Sequence, residues 1–130
     1  MMPRNGDELP GPLIDVGPAV ADYYVYVLMC AGGDPDPEWD WWVDEKIPRS
    51  RSADSRLHVG YAQNPHKRIQ QHIAGRRSWG ARFTSAYSPE LVYGLIGVVG
   101  GEETAKRSEE HVGVSLWDYH EADKTFVYWI

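Results

Sequence analysis

Cysteine is all but missing from this chain. Cys30 is the only one in 130 residues, so no internal disulfide can staple the fold. It lies in an apolar, strand-like stretch, where a small buried hydrophobe is the expected role, and such scarcity suits a reducing, cytoplasmic setting. Long apolar runs are missing too, and none approaches the roughly 18 residues of a membrane-spanning helix. The opening residues MMPRNGDELPGPLIDVGP lack the apolar centre of a secretory signal. The five histidines and one cysteine lack zinc-ligand spacing, which excludes a structural zinc box. A phosphate-cradling glycine loop and a nucleophile elbow are also missing.

Net positive charge is the last absence. The chain carries −6 overall, which argues against a general nucleic-acid binder. Its distribution is uneven, however. Residues 1–55 hold four Lys/Arg against eleven Asp/Glu (−7), and residues 93–130 hold three against seven (−4). Residues 56–92 hold six against Glu90 alone (+5). The central third therefore has the charge of a phosphate-facing surface, with Lys67, Arg76, Arg77 and Arg82 as candidate nucleic-acid contacts.

What is present divides into a lead-in and one domain. Residues 1–21 are rich in Pro and Gly without periodicity and are expected to form a flexible arm. Residues 22–130 read as a single domain. YYVYVLMC (residues 23–30) alternates side chains to two faces that are both apolar or aromatic, as in a central strand. An acidic insert follows at residues 31–56, carrying Trp39, Trp41 and Trp42. Those indoles are expected to cover the sheet, or else to dock a protein partner or a second copy. Arg49, Arg51 and Arg56 could swing from the insert toward phosphate.

Leu57 to Tyr61 reads as a second strand, antiparallel to the first. Asn64 caps a helix that opens on Pro65 and stops at Gly75, with Arg68 and His72 on one face beside an apolar stripe of Ile69 and Ile73. Arg76 to Ser88 reads as a loop, Leu91 to Val99 as a third strand, and Glu102 to Val112 as a helix that Gly113 ends. In the tail, SLWDYHEAD suggests a further helix and TFVYWI a closing strand.

Phosphodiester cleavage requires a proton acceptor, a cation for the charge that develops, and commonly a carboxylate-held metal. Arg68 suits the cation, with a planar fork matched to phosphate oxygens. Glu109 suits Mg²⁺, which keeps most of its waters and needs few protein ligands. His58 or Tyr26 could take a proton from water.

The pieces also fall in a telling order. Tyr24-Val25-Tyr26 precedes His58-Val59-Gly60; Lys67-Arg68-Ile69 with His72 follows, then Ala81-Arg82-Phe83-Thr84, Pro89, Leu91-Val92-Tyr93, and Ala105 with Glu109 four later. This pattern resembles the GIY-YIG nuclease superfamily over about Tyr23 to Val112, and most of all its small single-domain branch, related to the nuclease domain of the nucleotide-excision-repair incision enzyme. The resemblance implies an α+β domain with a three-stranded antiparallel sheet flanked by helices, here with a long insert and an extra C-terminal helix and strand. It also implies DNA cleavage with a single Mg²⁺ or Mn²⁺. In that reading Tyr26 matches the first motif's tyrosine, Gly60 the second motif's glycine, and Arg68 the arginine that steadies the transition state. Glu109 matches the metal-binding glutamate, with Glu110 the substitute under a one-residue misalignment, and His72 matches a histidine common in the branch. Two departures stand out. The second motif's tyrosine is His58, and the interval between the first two strands is much longer than the family's short turn. A neutral imidazole accepts a proton near pH 7 more readily than a phenol does, so His58 could serve the same chemistry. The alternative is a catalytically impaired descendant that binds DNA or protein.

Overall fold

A computed structural model describes residues 9–18, 20–31, 33–74, 82–121 and 123–129. In chain order the elements are β1 (Ile14–Val16), β2 (Tyr23–Cys30), α1 (Asp40–Lys46), β3 (Ser55–Ala62), α2 (Pro65–Ala74), α3 (Arg82–Ala86), β4 (Pro89–Val98), α4 (Glu102–Tyr119) and β5 (Thr125–Tyr128). They form one five-stranded sheet in the order β1-β4-β2-β3-β5. β2 is central, as two apolar faces require, and runs antiparallel to both β3 and β4. The three expected strands make this antiparallel centre.

The sheet differs from expectation at its edges. β5 adds beside β3 and β1 beside β4, both parallel, so the sheet is mixed and five-stranded rather than three-stranded and antiparallel. β1 comes from residues expected to form a flexible arm. Its Ile14 to Val16 pair with Gly94 to Ile96, and the chain before it is tied to Val92 through Pro10 and Leu13. A run of three residues is too short to show periodicity, which is why the strand escaped the sequence reading.

Each face of the sheet carries its own core. On one, Tyr26, Leu28 and Cys30 pack with Trp39, Trp42, Val43, Phe83 and Tyr87 under α1 and α3. On the other, Val25, Val27, Leu57 and Val59 pack under α4 with Val112, Leu116 and Trp117. The acidic insert is therefore part of the core. Trp39 and Trp42 are buried and cover the sheet, the first of the two roles expected for these indoles, and Trp41 is the exposed one of the three.

Of the insert's arginines, Arg49 is exposed and the other two are engaged within the chain. Arg56 is fully buried, donating to the carbonyls of Ser50, Ala31 and Arg51, with its guanidinium 4.1 Å from the Tyr87 ring centre. Arg51 binds Asp40 and Asp44 at 2.8 and 2.6 Å. Neither is placed to swing toward phosphate. Gly113 does not end α4 either. It lies under the Trp129 indole, where a Cβ would overlap the ring, so its role is close packing inside an 18-residue helix.

Candidate active site

The side chains expected to act together do meet. Tyr26, His58, Arg68 and Glu109 line a single cleft of about 1090 Å³, together with Lys67, Gln71, Lys106 and the carboxylates Glu102 and Glu110. Strands β2 and β3 form its floor, α2 one wall and α4 the other.

The floor is set by strand register. Tyr26 lies opposite Gly60, and His58 opposite Leu28. A Cβ at Gly60 would run into the Tyr26 phenol, so glycine is what lets that ring lie across the neighbouring strand. His58 is almost fully buried. Its ring lies against both Phe83 (5.8 Å between ring centres) and Tyr128 (5.7 Å), which stack on each other at 4.9 Å, and meets His72 edge-on at 4.8 Å. Its Nδ1 makes no hydrogen bond with any described residue. Burial, then the nearby Arg68 charge, pushes its pKa down to about 3, so the imidazole is neutral at physiological pH.

Helix α2 begins at its expected cap, where Asn64 Oδ1 accepts from the Lys67 amide at 3.1 Å. The helix face differs from the sequence reading in one respect: the histidine is buried and Ile69 and Ile73 are only partly covered. His72 is buried because its polar atoms are satisfied there. Nε2 lies 2.8 Å from the Tyr26 hydroxyl and Nδ1 lies 2.7 Å from Thr84 Oγ1. Burial pushes its pKa down to about 2, helped by His58 and Arg68. One turn earlier, Arg68 is half-buried and donates to Gln71 at 3.0 Å, with its charge near the Tyr26 phenol. Burial, opposed by Arg68, pushes the Tyr26 pKa up to about 12.

Glu109 faces this cluster from α4, four residues after the fully buried Ala105. It is 5 % exposed, and among the described residues it has no hydrogen bond or salt bridge. Burial raises its pKa to about 7, opposed by Lys106. Such a carboxylate is short of a cation. No group of three or more His, Cys, Asp or Glu converges among the described residues. One buried carboxylate opening on a wide cleft fits a hard divalent ion that keeps most of its own waters. Glu110 is exposed, so the burial marks Glu109 as the better ligand of the two.

Of the expected nucleic-acid contacts, Lys67 lines the cleft, Arg82 is exposed on α3 outside its lining, and Arg76 and Arg77 lie outside the described residues. Lys106 was not expected. It follows the Ala105 landmark directly, and helical geometry one turn before Glu109 was the signal available for it. Thr84 was also missed as a site residue. It sits on α3, a five-residue helix in a stretch read as loop.

A family profile for the GIY-YIG catalytic domain matches residues 22–113. No curated protein and no solved structure matches the chain.

Proposed function

This chain belongs to the GIY-YIG catalytic domain family, a family of nucleases, and from that premise we propose that it is a DNA endonuclease acting with one divalent metal, Mg²⁺ or Mn²⁺. The observation that carries the proposal is the meeting of Arg68, Tyr26 and His58 with an unpaired, buried Glu109 across one cleft.

Glu109 would hold the metal, and a bound divalent ion would acidify its water and draw charge from the phosphate. The protein's part is then positioning and charge. Arg68 and Lys67 face the phosphate from α2, and Lys106 faces it from α4. His58 is the proton acceptor. Burial holds its imidazole neutral but makes it a weak base, which works against proton transfer from water. Tyr26, held protonated by burial, orients rather than accepts.

A second reading is a DNA-binding descendant that no longer cuts. It is favoured by the low basicity of His58 and by Glu102 and Glu110 in the cleft. One assay separates the two: purified protein with Mg²⁺ or Mn²⁺ on duplex, branched and single-stranded DNA. The endonuclease cuts at least one of these and Glu109→Ala does not. A salt-sensitive mobility shift with every strand intact supports the second reading.

A further inference from the structure

We propose that the Tyr61 ring, with Tyr23 beside it, is a stacking subsite for one unpaired base next to the scissile phosphate, so that the cleft takes DNA as a single strand in preference to a duplex. The substrate class rests on the endonuclease reading; the base contact does not. Tyr23 and Tyr61 both line the cleft, and neither enters the proton or metal chemistry assigned above. They stand on β2 and β3, where Val25 lies opposite Tyr61 and Tyr23 is the diagonal neighbour. Their ring centres are 6.1 Å apart and their planes are inclined by 55°. A flat ring can therefore lie on only one of them at a time. Tyr61 is held in place for this: its hydroxyl donates to Glu102 Oε2 at 2.9 Å, which ties the phenol to the first residue of α4.

The charges around these rings suit one phosphate backbone. Lys67 and Arg68 make the α2 wall cationic. The α4 wall carries Glu102, Lys106 and Glu110 at four-residue spacing on one face, all exposed. A phosphate chain is drawn to the first wall and repelled by the two exposed carboxylates of the second. A duplex brings two phosphate chains to the cleft, and α4 offers the second of them more carboxylate than cation. A base turned toward α4 meets the opposite case. When unpaired it presents its N–H groups and both its faces; carboxylate oxygens accept from the first, and an aromatic ring takes one of the second. In a duplex those N–H groups are bonded to the partner strand and the faces are covered by neighbouring bases.

Sheet packing explains part of this pair and not all of it. Both tyrosines rest on the apolar cluster under α4, as a diagonal pair on one sheet face does. An apolar side chain would serve that packing as well. A tyrosine fixed through its hydroxyl to an exposed carboxylate, and itself only partly buried, also keeps an aromatic face in the cleft wall. Glu102 in the first turn suits the helix dipole besides, but Glu110, in the middle of α4, has no such reason to be acidic. One base stacked on a protein aromatic ring changes affinity by roughly five- to a hundredfold, enough to decide between single strand and duplex.

The test is fluorescence anisotropy with the full-length protein in EDTA, at one fixed salt concentration. Three probes are compared: a labelled oligonucleotide, its duplex, and a strand of the same length whose residues are all abasic. The wild type is expected to bind the oligonucleotide about tenfold or more tighter than either of the others. Tyr61→Leu keeps apolar packing on α4 but has no aromatic face. It is expected to lose about tenfold on the oligonucleotide and to stay within about twofold on the duplex and the abasic strand. Tyr61→Phe keeps the face and is expected to stay within about threefold on all three. Equal wild-type affinity for the oligonucleotide and the abasic strand overturns the proposal without any variant being needed, and so does equal affinity for oligonucleotide and duplex. A Tyr61→Leu loss of the same size on all three probes makes the tyrosine a structural residue and also overturns it, as does a wild type that binds no DNA. Failure of the wild type to cut DNA with Mg²⁺ or Mn²⁺ counts against the endonuclease reading alone, because the base contact is read without metal.

Discussion

Arg56 and Glu109 are both buried charged residues, and they are buried in opposite ways. Arg56 donates from each of its three nitrogens to a backbone carbonyl and lies against the Tyr87 ring. Glu109 sits at 5 % exposure with no hydrogen bond or ion pair among the described residues. The first arrangement locks the insert onto the core. The second holds an unmatched charge at the edge of a cleft, which stability alone does not explain. The same contrast separates the two histidines: His72 is bonded at both nitrogens, while His58 leaves Nδ1 unpartnered.

The sharpest way to break the comparison is Glu109→Gln. If Glu109 is the metal ligand, cleavage falls by about a thousandfold or more, which corresponds to roughly 4 kcal/mol of transition-state stabilisation. Stability should move the other way. The folded pKa of about 7 lies above the unfolded value near 4.5, so the folded state binds more protons between those limits. Stability from this group is full below pH 4.5 and is lost as pH rises through 7. Denaturant melts in EDTA should therefore show the Gln variant more stable at pH 8, by about 1–3 kcal/mol, and equal to the wild type near pH 4.5. A variant less stable at both pH values would place Glu109 with Arg56, as a structural residue.

Arg56→Met tests the other side. Methionine fills much of the volume but leaves the carbonyls of Ser50, Ala31 and Arg51 without their donor. Each stranded group costs about 1–3 kcal/mol, so a loss of roughly 3 kcal/mol or more is expected by urea denaturation. The fraction still folded should cut DNA at the wild-type rate per molecule. A selective loss of kcat, with stability intact, would mean that Arg56 belongs to the site.

The sequence carried these two regions unequally. Tyr26, His58, Arg68 and Glu109 were legible as a set through the order of motifs that resembles the GIY-YIG family, while strand alternation and helical spacing placed each side chain on a face. The antiparallel centre and the Pro65 helix were legible for the same reason, with Asn64 marking the start. Arg56 was not, since an arginine in a polar, acidic stretch gives no local sign that three carbonyls will surround it. β1 and α3 are too short for periodicity and depend on tertiary contacts with β4 and with His58. Thr84 was visible in sequence only as part of a pattern, because its partner His72 is twelve residues away on another element.

The histidine pair predicts an acid limb. Unfolded imidazoles titrate near pH 6.5, whereas burial holds those of His58 and His72 near 3 and 2. Between these limits the unfolded chain binds more protons, so stability is full above pH 6.5 and drains as pH falls. Glu109 titrates with the opposite sign over much of this range and blunts the effect in the wild type. In the Glu109→Gln background the drop from pH 7 to pH 5 should be on the order of 2 kcal/mol per imidazole, measured by urea denaturation at each pH. A flat profile in that background would show that the imidazoles reach solvent and protonate in the native state.

The smallest expected effect is at Trp41, and it tests whether the insert serves any purpose beyond the core. Trp41 is 56 % exposed and stacks on Trp39 at 6.3 Å, whereas Trp42 is buried against Tyr128. Truncating a buried indole costs about 3–5 kcal/mol, so Trp42→Ala should destabilise strongly. Trp41→Ala gives up one partly exposed stack and should stay within about 1 kcal/mol, with sedimentation unchanged across protein concentration. The two substitutions lie one residue apart on the same helix turn, so the difference between them reads burial directly. If Trp41→Ala instead shifted the sedimentation of the protein while leaving its melting temperature alone, the exposed indole would be an interface anchor, and the insert would have a working face outside as well as a core face inside.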